Sequence, residues 1–374
     1  MKGKYFLLVL SAMTLATGCS NDEMTEMNQG EGINFSVTAG KLTRATATTT
    51  SSIGKFKVWA YTDGKTYMDG VEVTKETTGK WTYGGTKFWP ETDVDFYAVS
   101  PANSQSVTVN MTDKEIEHYT ANGSEDLLYA MNKGEKKDNH KTEPVSVNFR
   151  HALSQIVFKV KKTETSSINV KVQGIKVDGV ANLSTLSWAT TTTGPNLSEE
   201  SSDTEGAGWG TWAAPTGNAN YQAVNLTTAV DVETTVRSFE DDALFLMPQT
   251  LNPWLTETNG TASITGTARL LINCQITDVT SGIQLWPKTG NFGEVAVSLT
   301  NPSSDQNATD ADSHARWMQG KKYIYTLIFG EGAGYKPDPD DPDTPEPVLV
   351  PITFTVTVDG FQDGGTYDID LGTN

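Results

Sequence analysis

At 374 residues the chain is too long for one small domain, and its 9% aromatic content can furnish real cores, which excludes a wholly disordered protein. A formal net charge of −18 without a basic stripe excludes phosphate-backbone recognition, which needs clustered Lys and Arg. The acidic balance favours solubility in an exposed, crowded place.

In chain order, residues 1–18 read as a secretory signal. Lys2 and Lys4 give a positive start, and Tyr5 to Leu15 form an apolar core too short to span a bilayer. Ala16-Thr17-Gly18-Cys19 is similar to a bacterial lipobox, although Leu15 stands one position further from the cysteine than the usual leucine. On that reading Cys19 is acylated and becomes the N-terminus of an outer membrane lipoprotein, with 19–30 as its polar tether. The competing reading is a plain secretory signal followed by an unmodified cysteine. Cys274 is the one other cysteine, so lipidation of Cys19 leaves no disulfide, and its apolar setting reads as burial.

Ile33-Asn34-Phe35-Ser36-Val37-Thr38 alternates apolar and polar residues and predicts a strand burying Ile33, Phe35 and Val37. A Thr-rich connection from Gly40 to Ser52 follows, carrying Arg44. Phe56 to Tyr61, Trp81 to Tyr83 and Asp93 to Ser100 predict further strands, the last with Val94, Phe96 and Ala98 on one side. Val145 to Val160 holds two alternating segments around Arg150-His151-Ala152, and Ile168 to Val177 adds another. Thr190 to Glu205 has almost nothing to bury, which predicts a domain boundary between 31–188 and 189–334. Ala243 to Met247, Ala262 to Ile276, Phe292 to Leu299 and Lys321 to Phe329 repeat the style. No stretch carries a sustained helical period, and the expected fold is all-β, two tandem antiparallel sandwiches.

Residues 335–347 are rich in Pro and Asp and predict a stiff, extended spacer. The 348–374 extension then carries Ile352-Thr353-Phe354-Thr355-Val356-Thr357, a second I-x-F-x-V-T. Its apolar positions Ile352, Phe354, Val356 and Val358 predict a strand suited to the groove that holds the first copy. A tethered strand of this kind requires a receiving edge, while chance repetition in a Thr-rich β protein is the plainer explanation.

Asp338, Asp340, Asp341 and Asp343 lack the turn glycine and bidentate Glu of a calcium loop, so they read as solvated spacer and no metal is expected. His118, His140, His151 and His314 are scattered, and neither a zinc spacing nor a nucleophile elbow occurs. His151, between two strand segments, reads as a hydrogen-bonded structural residue. No catalytic residue and no cofactor are therefore predicted. Trp209, Trp212, Tyr221 and Trp254 offer a sugar platform in principle, with core and rim packing as the competing reading.

Phe88-Trp89-Pro90, Phe96-Tyr97-Ala98-Val99-Ser100-Pro101, Phe149-Arg150-His151-Ala152-Leu153-Ser154-Gln155-Ile156, Leu246-Met247-Pro248-Gln249, Trp317 and Gly320-Lys321-Lys322-Tyr323-Ile324-Tyr325 resemble, in order and spacing, the Bacteroidetes fimbrillin-like family. The resemblance implies two transthyretin-like sandwiches and a role as stalk, anchor or tip subunit of adhesive surface fimbriae, partnered by other subunits. It also implies an Arg-specific cut after Arg44, release of the first strand, and its replacement by a neighbour's Ile352, Phe354, Val356 and Val358 as donor strand. By residue pattern alone Arg44 is an ordinary loop cation. The alternative function is a lipid-anchored glycan-binding or fimbrial anchor protein.

Overall fold

The computed structural model describes residues 32–39, 52–141, 143–189, 209–258, 261–299, 315–330, 332–337, 345–349 and 353–360. Period-two alternation runs through them, and among them the helical pieces are the 3-10 turns Lys137–His140 and Glu240–Asp242. The protein is all-β.

One seven-stranded sheet has the spatial order Phe35–Ala39, Val145–His151, Leu128–Glu135, Val94–Ser100, Lys55–Thr62, Lys65–Lys75, Trp81–Tyr83. Its central strands were expected to bury one face, yet Phe96, Tyr97, Ala98 and Val99 are all buried. The alternation divides them between two cores. Phe56, Val58, Phe96, Ala98 and Phe149 pack with the first strand, while Trp59, Tyr97, Val99 and Tyr129 pack against Ile116, Tyr119 and Leu186 of a four-stranded sheet. A strand buried on both faces reads as a continuous apolar run, as Phe96 to Val99 does.

The second sheet pair sets a five-stranded sheet against a seven-stranded one. The five-stranded sheet contains Arg237–Ser238, Ser154–Lys162, Lys321–Phe329 and Thr353–Gly360, with Leu244–Leu246 pairing Ser154–Lys162. The other is built on Ala219–Asp231, Ile168–Val180, Arg269–Asp278, Gly293–Ser298, Gly332–Tyr335 and Pro347–Leu349. Phe158, Val170, Ile272, Cys274, Tyr325 and Leu327 meet between them in one core.

Three expectations change. The division at 188 and 189 does not coincide with the sheets: Ser154–Lys162 and Ile168–Val180 belong to the second pair, whereas Leu183–Ser187 and Thr211–Trp212 belong to the first. The strands flanking the polar stretch pair with each other, Leu186 opposite Trp212, and Thr190 to Glu205 lie outside the described residues. The sheets are not wholly antiparallel either, because Phe35–Ala39 runs parallel to Val145–His151 and Ser154–Lys162 parallel to Lys321–Phe329. Both parallel pairs join strands far apart in sequence, as parallel pairing demands. Finally, the spacer has docked ends. Tyr335 and Val348 are buried, Lys336 N donates to Glu346 O at 2.9 Å, and Pro347–Leu349 pairs with Gly332–Tyr335. Residues 338–344 lie outside the described residues.

Candidate strand-exchange site

The first strand is the end strand of its sheet. Phe35 stands opposite Val145 and Val37 opposite Val147, and Val145 N donates to Asn34 O at 2.8 Å. At the strand's start Ile33 N donates to Lys87 O (2.8 Å), the Tyr83 hydroxyl donates to Ile33 O (2.7 Å), and Gly32 bridges Phe88. Burial pushes the Tyr83 phenol up from its ordinary value, which keeps it a neutral donor. Ile33, Phe35 and Val37 are all buried. Phe35 sits among three rings, with centroids 5.6 Å from Phe96, 5.8 Å from Tyr83 and 6.1 Å from Phe56, two of these contacts edge-on. Each of the three side chains contributes about 1.5–3 kcal/mol of burial.

The C-terminal strand Thr353–Gly360 lies antiparallel to Lys321–Phe329 of the same chain, from Thr353 opposite Ile328 to Gly360 opposite Lys321. It too is an end strand. Val356 is fully buried opposite Tyr325, while Phe354 stands opposite Leu327 and Val358 opposite Tyr323. The wall it covers is fixed from behind: Trp317 Nε1 donates to the Tyr325 hydroxyl at 3.0 Å, and Met318 N to the Tyr323 hydroxyl at 2.9 Å. Burial raises the Tyr325 phenol far above its ordinary value.

The two I-x-F-x-V-T copies therefore occupy different grooves within one chain, one parallel and one antiparallel to its neighbour. The shared alternation specifies a strand with one buried face, and it does not specify which sheet or which place in it. Ile352, Arg44 and Cys19 lie outside the described residues; the described residues flanking Arg44 are Ala39 and Ser52. Sequence reasoning did not single out the groove walls, Tyr83, Lys87, Tyr323 and Tyr325. Alternating aromatic positions were the available signal for the three tyrosines, and Lys87, which acts through its carbonyl, carried none.

The remaining candidates are structural. Tyr221 is buried with its hydroxyl donating to Ala121 O at 2.8 Å, and Trp254 is buried under the Arg269 guanidinium at 5.3 Å. Trp209 stacks with Arg150 at 5.2 Å, and Trp212 Nε1 donates to Ala152 O at 2.7 Å. A cleft of about 730 Å³ is lined by Trp209, Trp212, Gln249 and Gln319, but its amides bond the walls: Gln319 Nε2 donates to Gly210 O and Gln249 Nε2 to Ala181 O. His151 is buried, with Nδ1 2.9 Å from Asp126 Oδ1. His140 pairs with Glu135, and His118 is exposed elsewhere. Among the described residues no group of three or more His, Cys, Asp or Glu could hold a metal ion.

Comparison with known proteins adds to this geometry. A family model described as fimbrillin-like matches residues 43–359. The fimbrium subunit Fim1C of Phocaeicola vulgatus is 29% identical over 219 residues, covering 48% of this chain and 57% of the length of that relative. The crystal structure of a fimbrial protein from Bacteroides vulgatus is similar in fold, with a TM-score of 0.50 and 17% identity over 89% of this chain and 100% of that one.

Proposed function

The chain belongs to the fimbrillin-like family, and from that premise we propose that it is a structural subunit of surface fimbriae, built of two transthyretin-like sandwiches and assembled by donor-strand addition. In this reading Cys19 is acylated, the precursor reaches the outer surface, and a protease cuts after Arg44. Residues up to Arg44 leave, taking Ile33, Phe35 and Val37 out of the first core. A neighbour's Ile352, Phe354, Val356 and Val358 refill the groove. A subunit that escapes cutting stays lipid-anchored, and the finished fibre serves cell adhesion. The subunit is no enzyme: the relatives are fimbrial proteins.

The observation that carries this reading is the position of the first strand. It ends its sheet, supplies three buried side chains, and connects onward through 40–51, which contains Arg44. A cut there leaves it held by one ladder, by side-chain burial and by the bonds of Ile33 and Gly32 to Tyr83, Lys87 and Phe88 at its start. Four apolar side chains of a donor recover on the order of 6–12 kcal/mol before ordering costs. The same donor must first leave Lys321–Phe329, which offsets part of that gain, and a head-to-tail contact that does not close on itself gives a filament.

The test digests the folded protein with an arginine-specific protease and follows mass by size-exclusion chromatography with light scattering. The full chain is compared with a truncation after Tyr335. Oligomers that grow with concentration and vanish on truncation are expected. Equally stable monomers in both samples sink the donor-strand reading and bring forward the anchor or glycan-binding reading.

A further inference from the structure

The large apolar side chains that stand exposed among the described residues are Phe88, Val236, Val279, Ile283, Leu285 and Leu349. Scattered surface apolar residues are ordinary, but these are not scattered. The turn between Ser154–Lys162 and Ile168–Val180 marks the end of the second sheet pair furthest from the first. Val279 N donates to Ser167 O there, and Lys162 N donates to Glu233 O close to Val236. Ile283 O accepts from Asp278 N in the same hairpin that carries Leu285, and Leu349 pairs with Gly332 just past Phe329. Five of the six thus share one pole.

Phe88 marks the opposite pole. Val145–His151 runs into Ser154–Lys162, so its beginning is the far end of the first sheet pair. The first strand is parallel to it and begins there, where Gly32 bridges Phe88. Phe88 is 55% exposed at the mouth of that groove, and Ile283 is 63% exposed on the other pole.

The C-terminal strand also begins at the five-residue pole, with Thr353 opposite Ile328. A strand leaving that pole and entering the next copy at its Phe88 pole runs in the same direction as the first strand it replaces. The repeated I-x-F-x-V-T then meets the groove in the same order, Ile outermost and Val innermost. On the donor-strand reading, on which this rests, we propose that the Val236, Val279, Ile283, Leu285 and Leu349 pole docks end-on against the Phe88 pole of a second copy of this chain. Successive subunits are then joined by a side-chain contact in addition to the exchanged strand. Apolar clusters of this kind mark interaction surfaces, and two different poles in contact make a heterologous, non-closing assembly.

The test uses the full chain, folded and then cut after Arg44. Phe88→Cys and Ile283→Cys chains are mixed and treated with a short thiol-specific bifunctional reagent. Cys19 departs with the cut segment and Cys274 is buried, which leaves the introduced thiols as the reactive ones. A cross-linked dimer of the two different chains is expected. The double variant Ile283→Ser with Leu285→Ser, both at exposed sites, is expected to raise the concentration for half-assembly by about tenfold or more.

Polymers that depend on residues 350–374, which lie beyond Leu349, yet neither cross-link nor respond to the double substitution, overturn the pole contact and leave strand exchange standing. Cross-linked assemblies indifferent to removal of 350–374 overturn strand exchange and keep the pole contact. A cut chain that stays monomeric and unlinked overturns both. Ile283-dependent flotation of monomer with neutral phosphatidylcholine vesicles, without any cross-link, assigns the pole to lipid and overturns the proposal.

Discussion

Phe35 concentrates the consequences of the first strand in one side chain. Its ring is buried among Phe56, Tyr83 and Phe96, so Phe35→Ala leaves a cavity and is expected to cost the uncut protein about 3–5 kcal/mol in urea unfolding. If the strand departs on cutting, the same substitution leaves the stability of assembled polymer unchanged; a loss in the polymer contradicts its departure. Cys274 is fully buried and its thiol is pushed up to about 12, so it is expected to resist thiol reagents until the protein unfolds, as mass spectrometry of the treated native protein will register. A second titrating site lies at the Phe88 pole, where His140 stacks on Trp89 and its Nε2 stands 2.8 Å from Glu135 Oε2. That hydrogen bond raises His140 from 6.5, against the opposing effect of burial, and the same bond lowers Glu135 from 4.5. The raised histidine contributes stability in full below its unfolded value and loses it as pH rises through its folded value. The lowered carboxylate contributes above its unfolded value and loses it as pH falls through its folded value. The pair therefore helps most between about 4.5 and 6.5. His140→Phe, which keeps a ring for Trp89, is expected to lower stability most in that window; an equal loss at pH 8 contradicts the ionic account.

At the scale of elements, the two end strands differ from the interior ones in having one neighbour each. Ser154–Lys162 is bonded on both sides, whereas among the described residues Thr353–Gly360 has only Lys321–Phe329. Backbone amides of 353–360 are expected to exchange hydrogen about tenfold or more faster than those of 154–162, and uniform protection argues against an edge poised to leave. The C-terminal end of Ile168–Val180 is held by a close approach instead. Gly179 has φ +75°, and an added Cβ would stand 2.0 Å from Thr267 O. Gly179→Ala is expected to destabilise by about 2 kcal/mol or more, from the left-handed backbone and the backbone clash together. Thermal melting of that variant checks it. Alternation made most of these strands legible in the sequence. The neighbours were not legible, because period two states which face is buried and is silent on the partner and on its direction.

For the whole molecule, the chain passes between the sheet pairs three times: from Val145–His151 to Ser154–Lys162, from Ile168–Val180 to Leu183–Ser187, and from Thr211–Trp212 to Ala219–Asp231. Buried bonds join the passages, including Ser154 Oγ donating to Met318 O and the Tyr129 hydroxyl donating to Gln319 Oε1. The two pairs are expected to unfold in one transition, with tryptophan fluorescence and far-ultraviolet circular dichroism giving coincident curves. Two separated transitions contradict that coupling.

The sequence by itself determined the all-β class, the burial of Ile33, Phe35 and Val37 on one face of a strand, and the membership carried by Phe88-Trp89-Pro90 and Phe149-Arg150-His151-Ala152. Those follow from local periodicity and short motifs. Only the tertiary structure decided that the two segments sit in different grooves, that Leu183–Ser187 pairs with Thr211–Trp212, and that five of the six exposed large apolar residues share one end of the second sheet pair. Each of those is a relation between residues far apart along the chain, set by which sheet edge and which core remained open, and no local alternation encodes it.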